Sequence, residues 1–265
     1  MFTVGRLAQP DTIEEAYRIL MEERDAAILG GCAFLRMGSR KIGTAIDLTH
    51  LDLKAVREHE DWMEIGAMTT LRMIETDPAI NNRFDGLLAE AVKPVIGVQF
   101  RSIVTVGATV FSKYGFSDLI PALLALETEV ELAHGGRMAL ETFLNRPFEK
   151  DILVRLWIRK DERRAACRSF RNSASDFPIL TVAVSLLAGQ GRIVIGARPS
   201  KAEIALKASR ELSNLDANCP RIEEIASIAA DEMSFGTNMR GSAEYRRELC
   251  KVLVKQAVAE VAACK

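Results

Sequence analysis

A chain of 265 residues with 48% apolar and 27% charged side chains can bury cores for one large domain or about two or three small ones, which excludes a disordered or fibrous protein. The formal net charge of −1, without a block of like charges, argues against a nucleic-acid partner. The N-terminus lacks a signal-peptide pattern, and the longest apolar run, 177–188, is broken by Thr181 and Ser185 and too short to span a bilayer. A cytoplasmic protein without a membrane partner is therefore expected.

In chain order, Asp11 is placed to cap a first helix, with Glu14 three residues later and Ile13, Ala16, Tyr17 and Leu20 along one face. A short strand over 26–29 enters Gly30-Gly31. Strands follow at 44–48 and 62–65, the second running into Gly66-Ala67-Met68-Thr69-Thr70. A helix over 87–92 stops before Pro94, and a Gly/Ser/Thr-rich segment occupies 101–109. Ser117 or Asp118 then opens a helix that tolerates Pro121 in its first turn. Residues 129–133 and 137–140 form a hairpin about His134-Gly135-Gly136.

Beyond residue 150 the pattern predicts an antiparallel meander of strands at 152–158, 165–171, 179–187 and 192–197, the last two joined by a turn at Gly189-Gln190-Gly191. Helices over 201–212, 222–233 and 243–263 complete the chain. The expected division falls between Pro147 and Lys150 and separates 1–148, itself in parts of about 1–58 and 59–148, from 149–265.

The chain has no Walker loop, no HExxH and no Rossmann fingerprint. His50, His59 and His134 lie in no nucleophile motif, and five cysteines are scattered without a CxxC pair, so no hydrolytic, zinc or iron–sulfur centre is expected on this chain. Two glycine-containing turns remain, Gly30-Gly31 and Thr105-Val106-Gly107-Ala108-Thr109. Main-chain N–H groups in such turns can converge on a phosphate, and two of them suit the pyrophosphate of a dinucleotide. Either turn alone reads first as an ordinary connection. Asp118 reads as an N-cap or as an acceptor for ribose or ribityl hydroxyls.

Taken together, Ile28-Leu29-Gly30-Gly31, Ile65-Gly66-Ala67-Met68-Thr69-Thr70-Leu71, Gln99-Phe100-Arg101-Ser102-Ile103-Val104-Thr105-Val106-Gly107 and Ser117-Asp118-Leu119 resemble successive blocks of one family. It is the FAD-binding subunit of molybdopterin-dependent hydroxylases, which includes the xanthine dehydrogenase and carbon monoxide dehydrogenase medium subunits. Ile152-Leu153, Phe170-Arg171, Asp176-Phe177-Pro178 and Arg240-Gly241-Ser242-Ala243-Glu244-Tyr245 resemble its C-terminal domain.

The resemblance implies an α+β fold: a two-part α/β FAD-binding domain of the vanillyl-alcohol-oxidase/PCMH type, followed by a C-terminal antiparallel sheet with a helical bundle. It implies that Ile28, Leu29, Gly30, Gly31, Cys32, Ala33 and Phe34, with Thr105, Val106, Gly107, Ala108 and Thr109, hold the pyrophosphate region of FAD. Asp118 would contact FAD hydroxyls, and Leu153 and Arg171 would lie along the cofactor. The implied partners are a molybdopterin-binding large subunit, a [2Fe–2S] small subunit and NAD or another electron acceptor, with no catalytic acid or base here.

Two departures stand out. The first loop of the family reads Ala-Gly-Gly-Thr followed by Asp or Asn, where this chain has Leu29-Gly30-Gly31-Cys32-Ala33; the second ends Gly-Gly-Asn, where it has Gly107-Ala108-Thr109. The alternatives are a flavin-free scaffold subunit and a stand-alone FAD-dependent reductase of the kind that makes N-acetylmuramic acid precursors. The reductase's substrate-domain signature is missing after residue 150.

Overall fold

The computed structural model describes residues 1–214 and 221–263. Cys219 and Cys264 lie outside the described residues; Cys32, Cys167 and Cys250 are free thiols. The chain forms two compact units.

The first unit comprises Met1–Met73, Val98–Ser112 and Thr128–Arg159. Its parallel sheet has the order β1-β3-β2, built from β1 (Thr3–Ala8), β2 (Ala26–Leu29) and β3 (Lys41–Asp47). The sequence reading omits β1 because its first five residues are all exposed and carry no alternating pattern. Between β1 and β2 runs α1 (Ile13–Glu22), which buries Ala16 and Leu20 against Ala26, Ile46 and Leu48. Its cap is Thr12, not Asp11. Thr12 Oγ1 accepts from Glu15 N at 3.1 Å, and the Glu15 carboxylate accepts from Asp11 N at 3.1 Å, a capping arrangement shifted by one residue.

A five-stranded antiparallel sheet completes this unit. Its strands are β4 (Val56–Glu58), β5 (Trp62–Gly66), β6 (Thr128–Leu132), β7 (Gly136–Ala139) and β8 (Leu153–Arg159), in the order β4-β5-β8-β6-β7. Placing 152–158 in the C-terminal meander is corrected here, since β8 pairs with β5 and β6. Met63, Ile65, Val130, Leu156 and Ile158 fill one face. On the other face Glu64 is held by Arg57 at 2.9 Å, His59 at 2.9 Å and Arg155 at 3.4 Å. Such a network lets a charged side chain sit 4% exposed without an unpaired carboxylate. The unit also contains α2 (Val106–Phe111).

The second unit comprises Ile74–Gly97, Lys113–Glu127 and Lys160–Lys265. It contains a helix over Leu87–Val92 and α3 (Leu119–Ala125), every residue of which is buried. Its antiparallel sheet consists of β9 (Arg164–Phe170), β10 (Leu180–Leu187), β11 (Gln190–Gly196) and β12 (Glu203–Ile204), in the order β12-β11-β10-β9. The tight turn between β10 and β11 is Ala188-Gly189, both at positive φ, one residue earlier than the sequence reading places it. Helices α4 (Leu206–Ser213), α5 (Ile222–Glu232) and α6 (Ala243–Ala262) follow. Ala208, Leu212, Ile225, Ala229, Leu253, Val254 and Val258 pack with Val182, Val184, Ile193 and Ile195 into one core. The helix expected over 201–212 begins only at Leu206, because 203–204 extend the sheet and Ala205 N donates to Ile193 O at 2.8 Å.

The expected architecture, α/β pieces followed by an antiparallel sheet with helices, is the one observed. Among the described residues no helix is long and apolar enough to cross a membrane, and no cluster of His, Cys, Asp or Glu could hold a metal.

Candidate cofactor site

Strand β2 delivers the chain into Gly30-Gly31. Gly31 has φ 82° and Cys32 φ 60°, two consecutive left-handed residues that reverse the backbone. A Cβ on Gly31 would stand 1.8 Å from Ile103 O, and one on Gly30 would stand 2.5 Å from the Ala108 Cβ. The two turns singled out in the sequence are thus pressed together, and only glycine fits the contact. Cys32 O accepts from Arg36 N at 3.1 Å, closing the loop onto a short helical turn over Leu35–Met37. The Cys32 and Ala33 main-chain N–H groups donate to no acceptor among the described residues. Burial pushes the Cys32 thiol upward, so it remains protonated at neutral pH and places no negative charge in the loop.

The second turn places its N–H groups on acceptors within the protein. Val106 N donates to Thr69 O at 2.9 Å and Gly107 N to Ala67 O at 2.8 Å, while Ala108 N reaches Thr105 Oγ1 at 3.2 Å and Thr109 N reaches Thr105 O at 3.1 Å. These four N–H groups are spent inside the protein. The first turn offers free donors and the second supports it. Gly107 is required by packing, since its Cβ would come 2.7 Å from the Ala67 Cβ. Ala108 is accommodated because Gly30 opposite it lacks a side chain.

Two more predicted residues meet in the second unit. Ser117 caps α3 through Ile120 N at 3.2 Å, which releases the Asp118 carboxylate from that task. Asp118 Oδ1 instead accepts from Arg171 Nη2 at 2.5 Å. Arg171 Nη1 donates to Pro94 O and Asp176 O, both at 3.2 Å, while its buried Nε has no partner among the described residues. Burial pushes Asp118 up to about 6 even though Arg171 opposes the shift. Leu153 lies in the first unit, 4% exposed at the start of β8.

Residues 2–158 match the family model described as the FAD binding domain in molybdopterin dehydrogenase, and 165–261 match the CO dehydrogenase flavoprotein C-terminal domain. The chain belongs to this flavoprotein family.

The flavoprotein is 28% identical to the uncharacterized protein YgfM of Escherichia coli K12 over 97% of this chain and 96% of that one. It is 25% identical to the nicotine 6-hydroxylase medium subunit of Paenarthrobacter nicotinovorans, over 97% of each. Its fold superposes on carbon monoxide dehydrogenase from Oligotropha carboxidovorans with a TM-score of 0.86, at 19% identity and 98% coverage of both chains. It is an FAD-binding medium subunit of the molybdenum hydroxylase family.

The residues present suit the cofactor. Gly31 lets the loop close against Ile103 O, and the donors the loop offers are main-chain groups, which survive the change of the family's Thr and Asp or Asn to Cys32 and Ala33. Sequence reasoning assigned no role to Ala67 and Thr69, whose carbonyls hold the second turn, or to Pro94 and Asp176, whose carbonyls orient Arg171. Main-chain acceptors leave no trace in residue type; the one available signal was Gly66, where a Cβ would lie 2.2 Å from Leu53 O.

Proposed function

We propose that this flavoprotein is the electron relay of a xanthine dehydrogenase-type complex in the cytoplasm. In this reading a molybdopterin-binding large subunit oxidises the substrate and a [2Fe–2S] small subunit passes the electrons on. They leave from this chain to NAD or another acceptor. Bound FAD supplies the redox chemistry, and the protein supplies position and electrostatics. The observation that carries the reading is the contact of Gly31 with Ile103, which fixes a left-handed loop with the Cys32 and Ala33 N–H groups unspent.

In this proposal Ile28, Leu29 and Phe34 flank the loop, the Cys32 and Ala33 N–H groups bind phosphate oxygens, and 105–109 form the wall that keeps them in place. Asp118 accepts from cofactor hydroxyls with the oxygen that Arg171 leaves open. Arg171, oriented by Pro94 and Asp176, contributes positive charge and an unspent Nε donor. Leu153 supplies apolar surface.

An absorption spectrum of the purified chain, with the released cofactor identified after denaturation, tests the reading. Flavin bands near one equivalent and FAD on release are expected. A chain that stays colourless after reconstitution with excess FAD would overturn the relay in favour of a flavin-free scaffold.

A further inference from the structure

The loop after β2 carries no full charge of its own. From Ile28 to Leu35 the thiol of Cys32 is the only polar side chain, and burial keeps that thiol protonated. The hydroxyls of the wall behind it are engaged locally. Thr109 Oγ1 donates to Thr105 O at 2.9 Å, and Thr105 Oγ1 accepts from Ala108 N at 3.2 Å. Main-chain N–H groups bring only partial charges to a bound pyrophosphate, so its negative charge calls for a cation nearby.

Between Ala26 and Ile46 the chain carries Arg36, Arg40 and Lys41 and no acid. Strand direction separates the three. β3 runs parallel to β2 with Leu29 beside Asp47, so Lys41, at the opposite end of β3, lies about 20 Å from the level of the loop. Arg40 stays at that far end, its carbonyl accepting from Thr3 N at 3.1 Å. Arg36 is placed differently. Its N donates to Cys32 O at 3.1 Å, which sets it one turn beyond the loop. Burial is the main cause of the raised Cys32 thiol; Arg36 opposes that rise and Asp47 adds to it, so both charges reach the loop. The Asp47 carboxylate is already engaged, by Gln9 Nε2 and Thr49 N at 3.0 Å and by Thr49 Oγ1 at 2.9 Å. The exposed Arg36 side chain has no hydrogen-bond or ion-pair partner among the described residues.

We propose that Arg36 is the cation that pairs with the FAD pyrophosphate, supplying charge beside a loop whose own donors are all neutral. Its planar guanidinium suits the task, because it can direct two parallel N–H bonds to one phosphate. This role rests on the FAD reading of the loop and deepens it by a residue outside 28–34.

The test is titration of FAD into the full chain freed of flavin, read by flavin fluorescence at about 50 mM and about 500 mM salt. Arg36→Gln binds FAD about tenfold more weakly at the lower salt and loses most of the salt dependence. Arg36→Lys, which keeps the charge without the planar fork, falls between the two. Lys41→Gln removes the same charge at the far end of the sheet and stays within about twofold of wild type. The flavin-free variants unfold thermally with wild type, since the Arg36 side chain has no partner to lose. FAD binding by Arg36→Gln within about twofold of wild type overturns the role. Equal weakening by Arg36→Gln and Lys41→Gln also overturns it, because only the general surface field would then be at work. Wild type that takes up no FAD overturns the cofactor reading itself, and this role with it.

Discussion

Arg171 Nη2 donates to Asp118 Oδ1 at 2.5 Å, with the two side chains only 11% and 9% exposed. Burial nonetheless holds Asp118 up at about 6, so withdrawing the carboxylate from water outweighs the attraction of its partner. The pair is a polar device retained in a buried place, which suits positioning better than stability.

The pH dependence follows from that shift. The folded chain holds the Asp118 proton more tightly than the unfolded chain, whose carboxyl titrates near 3.8. Its contribution to stability is therefore complete below about pH 4 and is lost as pH rises through about 6. Asp118→Asn does not titrate, so the stability of wild type relative to this variant should fall by up to about 3 kcal/mol between pH 4 and pH 7. Urea unfolding of both proteins at several pH values measures it, and a pH-independent difference would contradict the assignment.

Arg171→Ala leaves the same carboxylate buried without its cation. The expected cost is about 3 kcal/mol at pH 8, and clearly less at pH 5, where a protonated Asp118 needs no charged partner. Equal losses at the two pH values would show that Arg171 acts through packing alone.

Glycine substitutions separate backbone strain from the loop contact. At Gly136, with φ 67° and nothing within 4 Å of an added Cβ, alanine should cost only the left-handed penalty of about 1–2 kcal/mol. At Gly31, with φ 82°, the same change drives a Cβ into Ile103 O and should cost about 3 kcal/mol or more, with loss of bound flavin. Thermal unfolding and flavin absorbance of both variants decide it; retention of flavin by Gly31→Ala would remove the main support for the site.

Thr105 caps α2 through Ala108 N and is 3% exposed. Thr105→Ala should destabilise by about 1 kcal/mol, and Thr105→Ser, which keeps the hydroxyl, by a few tenths. Denaturant midpoints compare the two, and equal losses would mean that the methyl group carries the effect.

Much of this protein was legible along the chain. The amphipathic stripe of α1, the hairpin of β6 and β7, and helices α5 and α6 follow from periodicity and turn chemistry, which are local properties. The two glycine turns and Asp118 were legible as residue types and as an order of motifs matching one family. Tertiary structure alone decided the rest. It moved β8 into the first sheet, because pairing depends on which edges meet and not on neighbouring sequence. It gave Ser117 the cap and Asp118 the arginine, a choice two adjacent polar residues cannot declare for themselves. And it spent the N–H groups of the second turn on Ala67 and Thr69, since backbone carbonyls are present at every residue and only folding determines which donors they reach.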